Sequence, residues 1–187
     1  RIFLTTKKNN KRTMRTRVNV QFYPSPCGLL VLASVDDALC LCNWAEYPCA
    51  QRNINRLRRL LHAEMVEETS AVIERTKEEL DDYFAGKRRA FDVSLCLVGT
   101  DFQKDVWRAL LEIPYGQTRS YKEIAQQMDH AKGVRAVAQA IGANGLSILV
   151  PCHRVVGSDH RLTGFAGGLE NKAMLLKLEG EQSDSEA

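Results

Sequence analysis

The hydrophobic periodicity of this 187-residue chain changes along its length, and that change constrains the fold more than any other feature. Within residues 18–47 the apolar residues come as three short β-type runs, VNVQFY, GLLVLAS and ALCLCNW, separated by Pro24-Ser25-Pro26 and Asp36-Asp37. From residue 55 to 84 the spacing becomes helical. Leu57, Leu60, Leu61 and Met65 recur at helical intervals, then Val72, Ile73, Leu80 and Phe84, with Gly86 as a stop. Residues 18–98 therefore read as a small α/β domain.

From Gly99 onward the pattern is mainly helical. DFQKDVWRALLEI places Phe102, Val106, Leu110 and Ile113 on one face, and Pro114-Tyr115-Gly116 ends it. Ser120 is a candidate cap for YKEIAQQM, with Glu123 completing a capping box. A turn through Asp129-His130 leads to VRAVAQAIGANG, where Val134, Val137, Ala138 and Ile141 form the stripe and Asn144-Gly145 the stop. Two short helices across a tight turn fit a helix-turn-helix, although most such pairs are simply core packing. The second helix has Arg135 as its one charge among small residues, which suits close approach to a nucleic-acid backbone. GSDHRLTGF reads as a hairpin-like wing. GGLENKAMLLKLEG reads as a final helix with Leu169, Ala173, Leu176 and Leu178 inward and Glu179 at its end. The expected class is α+β: a small N-terminal α/β domain, then a winged helix-turn-helix-like domain over 99–180.

The net charge is only +3, but it is unevenly spread. Residues 1–17 form a basic arm without an acid, read as a flexible terminus, and residues 181–187 an acidic tail. No run of about 18 apolar residues or signal-type segment occurs, so no membrane association is expected. The six cysteines lack C-x-x-C spacing and read as thiols of a reducing compartment. Cys40, Cys42, Cys49 and His62 make a poor zinc set, because Cys40 and Cys42 sit in an apolar strand; no metal or other cofactor is expected.

The chemistry concentrates in VPCHRVV, residues 150–156. A thiolate is a good nucleophile and a neighbouring imidazole can lower a thiol's pKa. If the segment is extended, however, Cys152 and His153 point to opposite faces, and a base role for His153 needs a turn or a bridging water. On this dipeptide alone, a buried structural thiol is the better reading.

The ordered set GTDFQKDVWRALLEIPYGQTRSY, VRAVAQAIGAN, PCHRVV and LTGFAGGLENKAMLLKLEG resembles the 6-O-alkylguanine-DNA alkyltransferases. The resemblance implies direct DNA repair: one irreversible transfer of an alkyl group from 6-O-alkylguanine, with 4-O-alkylthymine as a further substrate, to the protein's own cysteine. It implies Cys152 as acceptor, His153 as base through a water, Glu179 as its orienting acid, Asn144 as a brace and Tyr121 as proton donor to the leaving guanine. Arg135 would enter the base stack beside Ser120 and Ala136, while Val155, Phe165, Ala166 and Gly167 would line the base pocket. The implied partner is double-stranded DNA carrying the lesion, bound by a monomer. The implied location is cytoplasmic, at the nucleoid of a bacterium, or nuclear in a eukaryote. Departures from the family pattern are Gly145 for proline, Phe165 for tyrosine, Ala166 for serine, His160 for glycine and a missing proline near Ala131-Lys132-Gly133. A non-catalytic lesion sensor and a thiol hydrolase are the alternatives on the same residues.

Overall fold

The computed structural model describes residues 14–129 and 133–184. Its first element, β1 (Thr16–Ser25), pairs antiparallel with β2 (Gly28–Val35), which pairs antiparallel with β3 (Ala38–Trp44). Helix α1 (Pro48–Leu60) then carries the chain across to β4 (Ala63–Val66), parallel to β1, giving the order β3-β2-β1-β4. Val31, Ala33 and Val35 of β2 face the core under α1, whereas Leu30 and Leu32 face the opposite core. A strand buried on both faces has a continuous apolar run, which is why GLLVLAS shows little alternation.

The pairing of β2 with β3 slips between Ala33 and Ser34, so Cys40 is the extra residue of a bulge. The bulge turns Leu41 toward α1, and Cys42 and Trp44 toward the C-terminal domain. Cys40 and Cys42 are buried, as their apolar strand context suggests.

The helical reading of residues 55–84 is corrected. α1 begins at Pro48, where proline loses no intrahelical hydrogen bond. His62, at φ +48, ends it, and Met65 lies in β4 because pairing with β1 overrides local spacing. Helix α2 (Ala71–Phe84) follows, capped by Ser70, with Gly86 at φ +76 just beyond its end.

In the C-terminal domain, Thr100 and Gln103 form a capping box on α3 (Asp101–Leu111), and Ser120 and Glu123 form another on α4 (Tyr121–Gln127). Val106 and Leu110 are buried on one side of α3, as their spacing predicts, and Ile113 is buried just beyond its end. Helix α5 (Gly133–Gly142) packs against α3 and α4. Its inward row is Val137, Ala140 and Ile141; Val134, expected inward, is exposed because it sits in the first turn, beyond the packed face. The expected turn residue His130, and Ala131 and Lys132, lie outside the described residues, as do residues 1–13 of the arm and 185–187 of the tail.

Three further expectations are corrected. Residues 152–154 are a 3-10 turn, not extended strand. β6 (Val155–Val156) pairs in parallel with β5 (Arg119–Ser120), so residues 157–164 form a turn, closed by the Gly157 amide donating to the Arg161 carbonyl, with no returning hairpin strand. Helix α6 (Leu169–Asp184) turns Lys172, Leu175 and Glu179 inward, whereas Leu169 and Ala173 are exposed. Hydrophobicity alone misassigns its face because two buried charges have polar partners there. Glu179 lies inside this helix, which runs into the segment read as an acidic tail.

Candidate active site

Asn144, just past α5, ties the cysteine to the chain leading up to it. Its Oδ1 accepts from the Leu146 amide at 2.9 Å, and its Nδ2 donates to the Val150 carbonyl at 3.0 Å and to Cys152 Sγ at 3.1 Å. The intervening Ile148 has φ +73, a strained conformation for a β-branched residue. The N-terminal domain grips this loop from behind. The Cys42 amide donates to the Gly145 carbonyl and the Ser147 amide to the Cys42 carbonyl, both at 2.8 Å. Asn53 donates to Asn43, Asn43 to Ser147 Oγ, and Arg56 to the Ala143 carbonyl. The outer edge of β3, which ends the sheet, thus carries the turn at Gly145 where the family pattern has proline.

Cys152 and His153 are both buried in the 3-10 turn, which directs them into different surroundings. Burial pushes the Cys152 thiol up, opposed by the Asn144 hydrogen bond and the Lys172 charge. His153 Nε2 lies 2.7 Å from Glu179 Oε1, while its Nδ1 is buried with no partner among the described residues. Burial would raise the Glu179 carboxyl, but His153 and Arg154 overcome it and hold the group at about 2. An ionised carboxylate only accepts, so Nε2 carries the hydrogen and Nδ1 the lone pair. Burial, with help from Arg154 and Lys172 and against the pull of Glu179, lowers the His153 pKa, which favours the neutral ring.

Sequence reasoning missed Arg154 and Lys172. Arg154 Nε donates to Glu179 Oε2 at 2.9 Å, Nη2 to Oε1 at 3.0 Å and Nη1 to the Ile113 carbonyl at 2.6 Å. Lys172 Nζ donates to the carbonyls of Val155 at 2.5 Å and Thr163 at 3.0 Å. The signal available was the spacing of Lys172, Leu175 and Glu179, one inward row of a helix.

Tyr121 donates its hydroxyl to the carbonyls of Thr163 at 3.0 Å or Gly164 at 3.2 Å, which attaches α4 to the end of the turn over residues 157–164. Burial raises its phenol. That loop sits on the N-terminal domain: Phe165 packs edge-on against Trp44 at 5.4 Å, and a Cβ on Gly167 would lie 2.2 Å from the indole. Only glycine fits there. Ala166 is half-buried beside them, and the Val155 carbonyl is already occupied by Lys172. The hydrogen bonds thus form two pairs, Asn144 with Cys152 and His153 with Glu179, joined through the chain at residues 152–153, while Tyr121 and Lys172 share the Thr163 carbonyl. Ser120 spends its hydroxyl on the α4 cap. Arg135 is exposed on α5 next to half-buried Ala136, away from the hydrogen bonds described around Cys152.

A buried thiol held by an amide, beside a neutral histidine with a free lone pair and a paired acid, defines a protein that does chemistry with one cysteine. The helix pair in front of it is the kind that docks on DNA. Comparison with known proteins agrees. Residues 18–97 match the ribonuclease-like domain of 6-O-methylguanine DNA methyltransferase, and residues 101–181 match its DNA binding domain. A methylated-DNA–protein-cysteine methyltransferase of Methanosarcina acetivorans is 40% identical over 158 residues, 84% of this chain and 96% of the relative. One from Methanosarcina barkeri is 55% identical over 101 residues, 54% of this chain, but the match spans only 64% of that relative. A crystal structure of Mycobacterium tuberculosis OGT in complex with DNA superposes with a TM-score of 0.74 at 39% identity, over 89% of this chain and 94% of that one. The chain belongs to the methylated-DNA–protein-cysteine methyltransferases, a family of DNA-repair enzymes, and its C-terminal half is a DNA-binding domain.

Proposed function

We propose that the protein, acting as a monomer, removes the alkyl group from 6-O-alkylguanine in duplex DNA and retains it on Cys152. The observation that carries this reading is the orphaned His153 Nδ1, a buried lone pair one residue from a thiol whose other side is held by Asn144. The base leaves the stack, at a cost of a few kcal/mol, and Arg135 on the exposed face of α5 fills the gap. A water relays the Cys152 proton to Nδ1, and the imidazolium is balanced by Glu179. Sγ attacks the alkyl carbon in line, the S–C bond forms as the C–O bond breaks, and the electron pair leaves on guanine. Tyr121 gives its proton to a ring nitrogen of that anion, releasing the hydrogen bond that its hydroxyl makes to the Thr163 or Gly164 carbonyl. The thioether has no route back, so each molecule reacts once.

The test mixes excess protein with a duplex carrying one 6-O-methylguanine and weighs the tryptic peptides. A stoichiometric methyl on the Cys152 peptide is expected, and none with Cys152→Ser although DNA is still bound. Repeated turnover with an unmodified Cys152 peptide excludes the reading, and binding without transfer favours a lesion sensor. A parallel duplex with 4-O-methylthymine measures the second substrate, and sedentation of the free protein by ultracentrifugation checks the monomer.

A further inference from the structure

Glu179 is crowded with donors, and one of them comes from the other domain. Tyr83 lies in the last turn of α2, fully buried, with its ring against Phe84, Phe91 and Tyr115. Its hydroxyl donates to Glu179 Oε1 at 2.8 Å. The same oxygen faces His153 Nε2 at 2.7 Å and Arg154 Nη2 at 3.0 Å. The second oxygen, Oε2, accepts from Arg154 Nε at 2.9 Å and from the Gly116 amide at 3.4 Å. The aromatic packing needs only a phenyl ring. The hydroxyl adds one thing to it, a donor aimed at the carboxylate behind the base.

We infer that Tyr83 is a positioning residue for alkyl transfer, its hydroxyl fixing Glu179 Oε1 and moderating its pull on the His153 Nε2 hydrogen. The inference rests on the reading that His153 takes the Cys152 proton. The physical reason is competition at one oxygen. Each donor that shares Oε1 makes it a weaker acceptor for the others, and a weaker acceptor stabilises imidazolium less. Around Glu179 the relevant groups are His153 and Arg154 from the 3-10 turn, Tyr83 from α2 and Tyr115 from the turn after α3. His153 itself faces Glu179, Arg154 and Lys172. The two cations and the Tyr83 hydroxyl therefore act together, keeping the imidazole neutral and its Nδ1 lone pair available. The N-terminal domain, which holds no reacting atom, takes part in the chemistry through this contact.

The sign of the effect follows. Removing the hydroxyl strengthens the Nε2–H contact to Glu179 and raises the His153 pKa. Transfer needs neutral His153, so the acidic limb of its pH–rate profile moves to higher pH. The experiment is single-turnover transfer between pH 5 and 9, from a 6-O-methylguanine duplex and from a free 6-O-alkylguanine base. It compares the full-length wild type, Tyr83→Phe, and protein carrying 3-fluorotyrosine at position 83. The fluorinated phenol is the same ring with a stronger donor, and keeps the test open should the Phe variant fold poorly. For Tyr83→Phe the acidic limb rises by about half a pH unit or more and transfer on the limb slows roughly three- to tenfold, with duplex affinity unchanged. The fluorinated protein shifts the opposite way. Superimposable profiles overturn the inference, and so does an equal loss at every pH with no movement of the limb, the signature of packing alone. No transfer by the wild type overturns the alkyl-transfer reading, and this inference with it.

Discussion

Two buried charged regions flank Cys152, and they solve the problem of burial differently. On the His153 side, Glu179 and Arg154 neutralise one another through a bidentate pair, with Tyr83 and His153 completing the carboxylate's contacts. On the Lys172 side, the ammonium has two carbonyls and aromatic neighbours, Tyr121 and Phe165, each with its ring centroid 5.9 Å away, but no carboxylate among the described residues. Burial lowers the Lys172 pKa, and Cys152 is the group that raises it again. The first region is a closed electrostatic unit that sets the state of a base. The second is a cation left without its anion until the thiol ionises. One holds the machinery still, and the other favours the reactive form of the nucleophile.

The largest expected effect comes from breaking the closed unit. Glu179→Gln leaves Arg154 buried without a counter-charge and is expected to destabilise the fold by about 3–5 kcal/mol, read from urea unfolding at pH 7. The pH dependence sharpens the point. Glu179 is depressed from its ordinary value of 4.5 to about 2, so its stabilising contribution is full above 4.5 and is lost as pH falls toward 2. The Gln variant should lose that part of the acid transition; an unchanged acid limb of stability would contradict the pairing.

Breaking the open region should cost less stability and more chemistry. Lys172→Met keeps the shape of the side chain and removes a charge that has no carboxylate partner, at an expected cost of about 1–2 kcal/mol. Without that cation the Cys152 thiolate is harder to form, so the pH midpoint for alkylation of Cys152 by a small reagent moves upward. An unmoved midpoint would show that Lys172 serves the loop alone.

The smallest stability effect is expected outside both regions. Arg135→Ala, on the exposed face of α5, should change unfolding by less than about 0.5 kcal/mol. Its effect should fall on repair of duplex DNA, with transfer from the free base unchanged. Equal loss on both substrates would place Arg135 in the chemistry instead of base extrusion.

The strands of the first domain were legible because β-type runs bounded by turn residues are a local signal, and so was the capping box at Ser120. β4 was not, since four residues become a strand only when β1 is beside them. The inward face of α6 was misread for a related reason: Lys172 and Glu179 are acceptable in a core only once Val155, Thr163, His153 and Arg154 supply partners. Cys152, His153, Asn144 and Glu179 could be named from motifs in the sequence, but their hydrogen bonds could not.

By itself, then, the sequence determined a sheet-containing first half, a helical second half and the one cysteine worth attention. The first two rest on composition and spacing over a few residues, whereas the cysteine was singled out by the ordered family motifs around it and not by its own dipeptide. Tertiary structure alone decided that Cys152 lies in a tight turn, that His153 turns away from it toward Glu179, and that Tyr83 reaches the same carboxylate from 96 residues away along the chain. Those are relations between groups brought together by folding. Their energies depend on burial and on distance in space, which no local pattern of residues encodes.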